Sequence, residues 1–312
     1  TEQVTQMAKI DDRWSQMHSS ASTRDSTRKK LLKVDRNTIK KTIEHSSTAP
    51  YLYRVDNKTL DSIGVEQFQE DEYNFCKWHP YEFKLNKAGF SKRQKKQLKF
   101  YGWWNTEEDQ LVDIWYKTNK QGFRDEHFND EPGIACFGCS NTYGSGIHAH
   151  QNWPAQLAEL TGGKTYNLGT PAVSLALAVW YALNFLDEDL PNLTGIAVLV
   201  PPMGRAPVAT TNEDFYNVGT MRAELLENIS PEAMLDTATI NKYADIVNAT
   251  SQMTYDMQLK TLELIAKARN IPIAITYLHE IAPSDWARDF IHPGPQTHTD
   301  IAKLTMQKLG KY

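Results

Sequence analysis

Cysteine is scarce in this chain, with three in 312 residues: Cys76, Cys136 and Cys139. An odd and small count excludes a disulfide-stapled scaffold and leads to the expectation of a reducing compartment, with stability supplied by packing. Long apolar runs are lacking as well. The most hydrophobic stretch, Ala172 to Leu186, is shorter than the roughly 20 residues a bilayer span needs, and reads as a buried helix. The opening TEQVTQMAKIDDRW has no apolar core of a secretion signal, so a cytoplasmic protein, or one incorporated in a particle, is expected. A bias of charge is missing too. A net charge of -4, with 23% charged and 40% hydrophobic residues, is ordinary for a globular protein and gives no global electrostatic reason to bind nucleic acid.

What the chain does have is a change of texture along its length. Its size suits one large α/β core with an extension. Residues 1–50 are polar and Ser/Thr-rich, and the basic cluster RKKLLK, Arg28 to Lys33, is interleaved with Asp25 and Asp35. They read as an extended arm, either a solvated or partly helical tail or a segment that docks into a larger assembly or on nucleic acid. Residues 51–130 are rich in aromatics: Tyr73, Phe75, Trp78, Tyr81 and Phe83, then FYGWWN at Phe100 to Asn105 and IWYKTNKQGF at Ile114 to Phe123. Aromatic faces stack on sugars but also bury large areas in small irregular domains, so an N-terminal extension or small subdomain is expected here.

Within 131–312 short apolar runs alternate with amphipathic stretches. Gly133–Phe137, Lys164–Leu168, Ile196–Val200 and Ile271–Tyr277 are strand candidates; Asn152–Leu160, Ala172–Leu186, Gln252–Arg269 and Thr297–Leu309 are helical. The alternation predicts a parallel sheet covered on both faces, with ligands beyond the carboxyl ends of the strands.

One stretch, GIACFGCSNTYGSG from Gly133 to Gly146, admits incompatible readings. Cys136 and Cys139 could join Cys76 and His79 around zinc, at spacings that suit a structural site. Against this, Cys136 lies inside an apolar strand that runs straight into glycine and serine. A redox Cys-x-x-Cys should open a helix, whereas this pair sits in and just after a strand. Gly163-Lys164-Thr165 resembles the end of a phosphate loop, but Ala158 stands where its first glycine belongs and the triplet precedes a strand. It reads as a helix-to-strand turn. The remaining reading is a nucleophile: Ser140 falls just past a strand end, with Gly138 before it and Gly144 and Gly146 after it.

A base appears far downstream in RDFIHPGPQTHTDIA, where Asp289 and His292 precede Pro293-Gly294. One loop could carry both the imidazole and the carboxylate that fixes its tautomer. A D-x-x-H pair also describes a local hydrogen-bonded turn; its co-occurrence with Ser140 lifts it. His148 and His150, at the start of the next helix, either rim the pocket or face solvent. His279 and His298 have no distinguishing context.

These segments carry a resemblance. GCSNTYGSG resembles the GDS-x-T-x-G signature of the SGNH/GDSL hydrolases, YNLGTPA at Tyr166 to Ala172 resembles their second block, and DFIHPG their closing D-x-x-H-P block. TNKQGFRDE, Thr118 to Glu126, is similar to the N-x-x-GFR lead-in before the serine strand. The order matches, and the likeness runs from Thr118 to the end of the chain.

The resemblance implies a three-layer α/β/α, flavodoxin-like parallel sheet with an irregular N-terminal extension, and a serine-dependent hydrolase of O-acyl esters, with carbohydrate-linked acetyl groups the favoured substrate. Ser140 would attack the ester, His292 would carry the proton and Asp289 would orient His292. The backbone N–H groups of Ser140 and Gly169 would face the oxyanion, with no metal or organic cofactor required. Two positions depart from the pattern: Cys139 replaces the aspartate of GDS, and PPMGRAP, Pro201 to Pro207, stands where G-x-N-D would bring an asparagine donor. Arg205 could supply a charged donor in its place, or be a surface arginine in a Pro-rich turn. The alternative is a non-catalytic structural or binding component of a larger assembly, such as a phage particle, with a vestigial site.

Overall fold

The computed structural model describes residues 67–77, 89–171, 173–186, 190–203, 205–209, 215–218 and 237–310. All lie within the compact unit Ser46–Tyr312. The expected arm at 1–50, together with Trp78, His79, Tyr81 and Phe83, falls outside the described residues. Among the described residues no helix is long and apolar enough to cross a membrane.

The aromatic segment is built from short pieces. Strand β1 (Gln67–Glu70) pairs antiparallel with β2 (Tyr73–Cys76). Helix α1 (Lys92–Phe100) is started by a capping box, in which Ser91 accepts the Gln94 amide and Gln94 reaches back to Ser91. Strands β3 (Trp104–Asn105) and β4 (Gln110–Leu111) form a small ladder, and β5 (Tyr116–Thr118) pairs with β2.

The main sheet follows. Strand β6 (Gly133–Gly138) leads into the single-turn helix α2 (Ser140–Tyr143), and α3 (Trp153–Thr161) precedes β7 (Lys164–Gly169). Helix α4 (Leu175–Phe185), β8 (Leu193–Leu199), a ribbon of β9 (Ala206–Ala209) and β10 (Phe215–Val218), α5 (Thr237–Ala268), β11 (Ile273–Thr276) and α6 (Pro295–Leu309) complete the order. Across the sheet the strands run β11-β8-β6-β7, all parallel. Parallel strands covered on both faces must be apolar on both, which explains the near-continuous runs in β6 and β8. One face packs on α3 and α6 through Cys136, Trp153, Leu157, Ala197, Leu199, Ile301 and Ala302. By strand alternation Ala135 and Phe137 face the other way, toward the side where α4 meets β6 and packs on α5. This is the three-layer α/β/α arrangement expected from the sequence.

The expected strands and helices appear with small shifts at their ends, except α5. It begins at Thr237 rather than Gln252. The stretch before Gln252 contains Asn248, Thr250 and Ser251, residues that favour caps and turns over helix interiors. A helix already nucleated propagates through such residues at modest cost. The Gly163-Lys164-Thr165 triplet is the expected turn, with α3 ending on Gly162 in the left-handed region. A shallow hollow of about 680 Å³, lined by Glu131, Gly163 and Lys164 among others, opens there at the amino ends of β6 and β7.

Gly169 shows how tightly α2 is set against the sheet. A Cβ at this position would lie 2.3 Å from the Tyr143 amide nitrogen and 2.6 Å from the Thr142 carbonyl carbon. Neither atom can yield without moving α2. Gly169→Ala is therefore expected to destabilise the fold by about 1–3 kcal/mol, read as a lower urea midpoint at unchanged slope.

Candidate active site

After β6 the chain adds β7 on one side and then crosses back to add β8 on the other, so the strand order reverses at β6 and β8. Crossovers leaving in opposite directions open a crevice at the carboxyl ends of these two strands. Ser140 stands at its edge, directly after Cys139, the N-cap of α2.

The loop after Ser140 is held from inside by Arg124. This side chain is buried, and its guanidinium donates to the carbonyls of Gly144 (2.5 Å) and Ile147 (2.9 Å), with longer contacts to Tyr143 O and Trp115 O. It also lies 4.4 Å from the ring centre of Tyr116 and 5.4 Å from that of Tyr143. Carbonyl oxygens and aromatic faces together replace the water that a buried cation loses. The Gly146 amide donates to Tyr116 Oη at 2.9 Å, completing the restraint.

The histidine arrives on the loop between β11 and α6. Asp285 anchors its far end by accepting the amides of Gln296 and Thr297 in the first turn of α6, each at 2.9 Å. Within the loop the Ala287 amide donates to His292 O at 2.9 Å. Asp289 Oδ1 accepts the amides of Ile291 (2.9 Å) and His292 (3.0 Å), while Oδ2 meets His292 Nδ1 at 2.5 Å. Phe290 takes a left-handed φ of 60°, uncommon for a bulky residue, so the turn closes at a cost in backbone strain. Burial pushes the Asp289 carboxyl up, but the hydrogen bond and charge of His292 and the two backbone amides outweigh it, holding its pKa below the ordinary range. Nδ1 being engaged, Nε2 is the nitrogen left for proton transfer.

The two loops touch. The Arg288 amide donates to Gly146 O at 3.0 Å, and a Cβ built on Gly146 would lie 3.2 Å from Asp289 Cγ. The aromatic segment braces both: Trp103 Nε1 donates to Trp286 O at 2.8 Å and Arg288 to Val112 O at 2.6 Å. Ser140 Oγ lies 3.9 Å from Cys139 Sγ, and among the described residues no hydrogen bond joins it to His292.

A serine past the first main strand, a D-x-x-H loop before the last helix and the strand order β11-β8-β6-β7 decide the architecture. The domain is a three-layer α/β/α fold on a four-stranded parallel sheet. No protein-family model and no curated relative matches the sequence. Among solved structures the chain is similar to a member of the lipolytic protein G-D-S-L family from Veillonella parvula, at 15% identity over 58% of this chain and 100% of that one, TM-score 0.30. It is also similar to a variant of an acetyl xylan esterase from Geobacillus stearothermophilus, at 15% identity over 60% of this chain and 97% of that one, TM-score 0.29. Likeness at this level assigns neither fold nor activity.

The other expected site residues fare differently. The Gly169 amide is committed to Asn167 Oδ1 at 3.0 Å and is buried, so it does not face the crevice as an oxyanion donor. Asn167 folds back on its own strand end and captures the amide two residues on. Arg205, half-buried, donates through Nη1 to Val173 O at 3.3 Å, tying the loop after β8 to the loop after β7. The zinc set is not assembled. Cys76 packs in the aromatic core with Trp103 and Tyr116, whereas Cys136 belongs to the separate core under α3 and α6. His79 is outside the described residues. Cys76, Cys136 and Cys139 are buried and take part in no disulfide, and among the described residues no group of three or more His, Cys, Asp or Glu could hold a metal ion.

Two residues that support the site had little or no signal in the sequence. Arg124 sat within the GFR lead-in without an assigned role. His298, without any distinguishing context, is fully buried, and its Nδ1 accepts the Trp153 amide at 3.0 Å in the first turn of α3. Burial first, then the positive neighbours His292 and Arg124, push its pKa down to about 3. Asp125, whose Oδ2 accepts the Asn167 amide at 2.6 Å, is pushed by burial up to about 6 against that bond and the Glu126 amide.

These two groups act on stability in opposite senses. As pH falls from about 6.5 toward 3, the unfolded chain protonates His298 while the folded chain refuses the proton, and stability is lost. Between about 4 and 6 the folded chain keeps a proton on Asp125 that the unfolded chain has released, so this contribution is present at low pH and disappears as pH rises through about 6. Asp125→Asn removes the offset. Relative to the wild type, its unfolding free energy should fall by about 1.4 kcal/mol per pH unit between about 6 and 4, measured by urea melts at stepped pH.

Proposed function

We propose that the chain is a serine esterase of the SGNH type acting on an O-acyl ester, with carbohydrate-linked acetyl groups the favoured substrate class. The observation carrying this reading is the His292–Asp289 pair, fixed on a loop that hydrogen-bonds directly to the loop following Ser140. In the proposed reaction Ser140 Oγ attacks the ester carbonyl carbon while His292 Nε2 takes its proton. The tetrahedral oxyanion is met by the Ser140 backbone N–H and the positive charge of Arg205. Collapse expels the alcohol, which receives the proton from His292, and water then releases the acyl group by the same route in reverse. Asp289 holds the tautomer and stabilises the imidazolium. The mechanism requires Ser140 Oγ to exchange the Cys139 thiol for His292 Nε2, and catalytic hydrogen bonds commonly tighten only with substrate in place.

A second reading has its own observation. With the Gly169 amide committed to Asn167 and no asparagine in the PPMGRAP segment after β8, the donors of an oxyanion site are depleted. A non-catalytic component of a larger assembly, docked through residues 1–50, accounts for that depletion.

A fluorophosphonate probe separates the two. The esterase reading expects covalent labelling that is lost in Ser140→Ala, hydrolysis of short-chain aryl esters lost in parallel, and a fall in kcat on the order of 10⁴ for Asp289→Asn. A folded wild type that takes no label favours the assembly component.

A further inference from the structure

Helix α1 carries a concentration of positive charge that its own stability does not call for. Lys92, Arg93, Lys95, Lys96 and Lys99 are five of its nine residues, none of the nine is acidic, and Leu98 is its buried residue. Cations in the first turn oppose the helix dipole, and Lys92 with Lys96, or Lys96 with Lys99, are like charges at neighbouring surface positions. Lys95 is neutralised: its Nζ lies 3.1 Å from Asp109 Oδ2 and 4.5 Å from the centre of the Trp104 ring. Lys92, Arg93, Lys96 and Lys99 are exposed and, among the described residues, enter no ion pair. At about 100° of rotation per residue they lie on the half of the helix turned away from Leu98, together with Phe100. Phe100 is 81% exposed, and a T-shaped contact with Tyr101, 5.1 Å between ring centres, steadies it.

A single residue links this helix to the histidine loop. The Trp103 amide donates to Leu98 O at 2.7 Å, closing the helix end, and Trp103 Nε1 donates to Trp286 O at 2.8 Å, on the loop that carries His292. Tyr101 and Phe290 pack against the same aromatic core. A row of unneutralised cations beside an exposed aromatic ring suits a polymer that combines repeated negative charge with flat sugar faces. We propose that α1 binds an acidic polysaccharide, whose anionic groups meet Lys92, Arg93, Lys96 and Lys99 while Phe100 stacks on a sugar ring, and that O-acetyl groups on this polymer are the substrate. The substrate half rests on the esterase reading; the binding half does not. An anionic membrane fits less well, because an interfacial helix buries an apolar face and α1 turns only Phe100 outward. Nucleic acid would answer the charge but carries no acyl ester for the adjoining crevice.

The test uses the full chain with O-acetylated polygalacturonate, O-acetylated glucomannan as an uncharged counterpart, and a short-chain aryl acetate. Lys92→Gln, Arg93→Gln, Lys96→Gln and Lys99→Gln combined should raise KM for the polyuronate by about tenfold or more, with kcat unchanged and turnover of glucomannan and aryl acetate at the wild-type level. Salt raised from about 50 to about 500 mM should increase the wild-type KM in the same way and leave that of the variant nearly flat. Phe100→Ala should raise KM for the polymer and leave the aryl ester untouched. The melting temperature of the glutamine variant should hold or rise, since like charges are removed. A polyuronate KM indifferent to the four substitutions overturns the proposal. So does binding of duplex DNA or of phosphatidylserine vesicles that is tighter than binding of the polyuronate and lost in the same variant. A wild type that cleaves no ester sinks the esterase reading and the substrate half with it; direct titration with polygalacturonate then decides the binding half, which stands if binding is salt-sensitive and lost in the variant and falls otherwise.

Discussion

A buried guanidinium with no ion-pair partner among the described residues organises this site. Arg124 carries a full positive charge into the interior and surrounds it with main-chain oxygens and two tyrosine rings. The arrangement settles two accounts at once, because the loop after α2 turns its carbonyls inward where no helix or strand can satisfy them. A lysine at this position would bring a point charge in place of a planar fork and could not span Gly144 O and Ile147 O together. Once that loop is fixed, Gly146 O is in place to receive the Arg288 amide, and the turn carrying Asp289 and His292 is registered against it.

The aromatic segment belongs to the same scheme. Tyr116 gives the clamp a ring face and a hydroxyl, Trp103 reaches the His292 loop through Trp286 O, and Val112 O accepts from Arg288. A boundary drawn at residue 131, where the composition changes, runs through these bonds. The β6–β7–β8–β11 sheet supplies the direction of the crevice, but the angle between the serine loop and the histidine loop is set by residues from 103 to 124.

What could be read from the sequence follows from how local each signal is. Strands β6 and β8 were legible because a parallel strand buried on both faces is a continuous apolar run. The Asp289–His292 pair was legible because three positions separate its members and Pro293-Gly294 marks the turn. Gly169 was singled out by the resemblance as an oxyanion donor, but whether its amide points into the crevice depends on the rotamer of Asn167, and composition cannot report that. The zinc set failed for a related reason, since the spacing of Cys76, Cys136 and Cys139 along the chain says nothing about which core each enters.

The two sides of the crevice are fastened by different kinds of bond. Amide oxygens and an arginine do not change protonation at any acidity a cell experiences, so the serine side keeps its shape from mildly acidic to alkaline media. Across the gap, imidazole and carboxylate are joined by a contact that depends on which of them holds a proton. The molecule thus sets a half held by main-chain oxygens and a guanidinium against one held by a titratable pair.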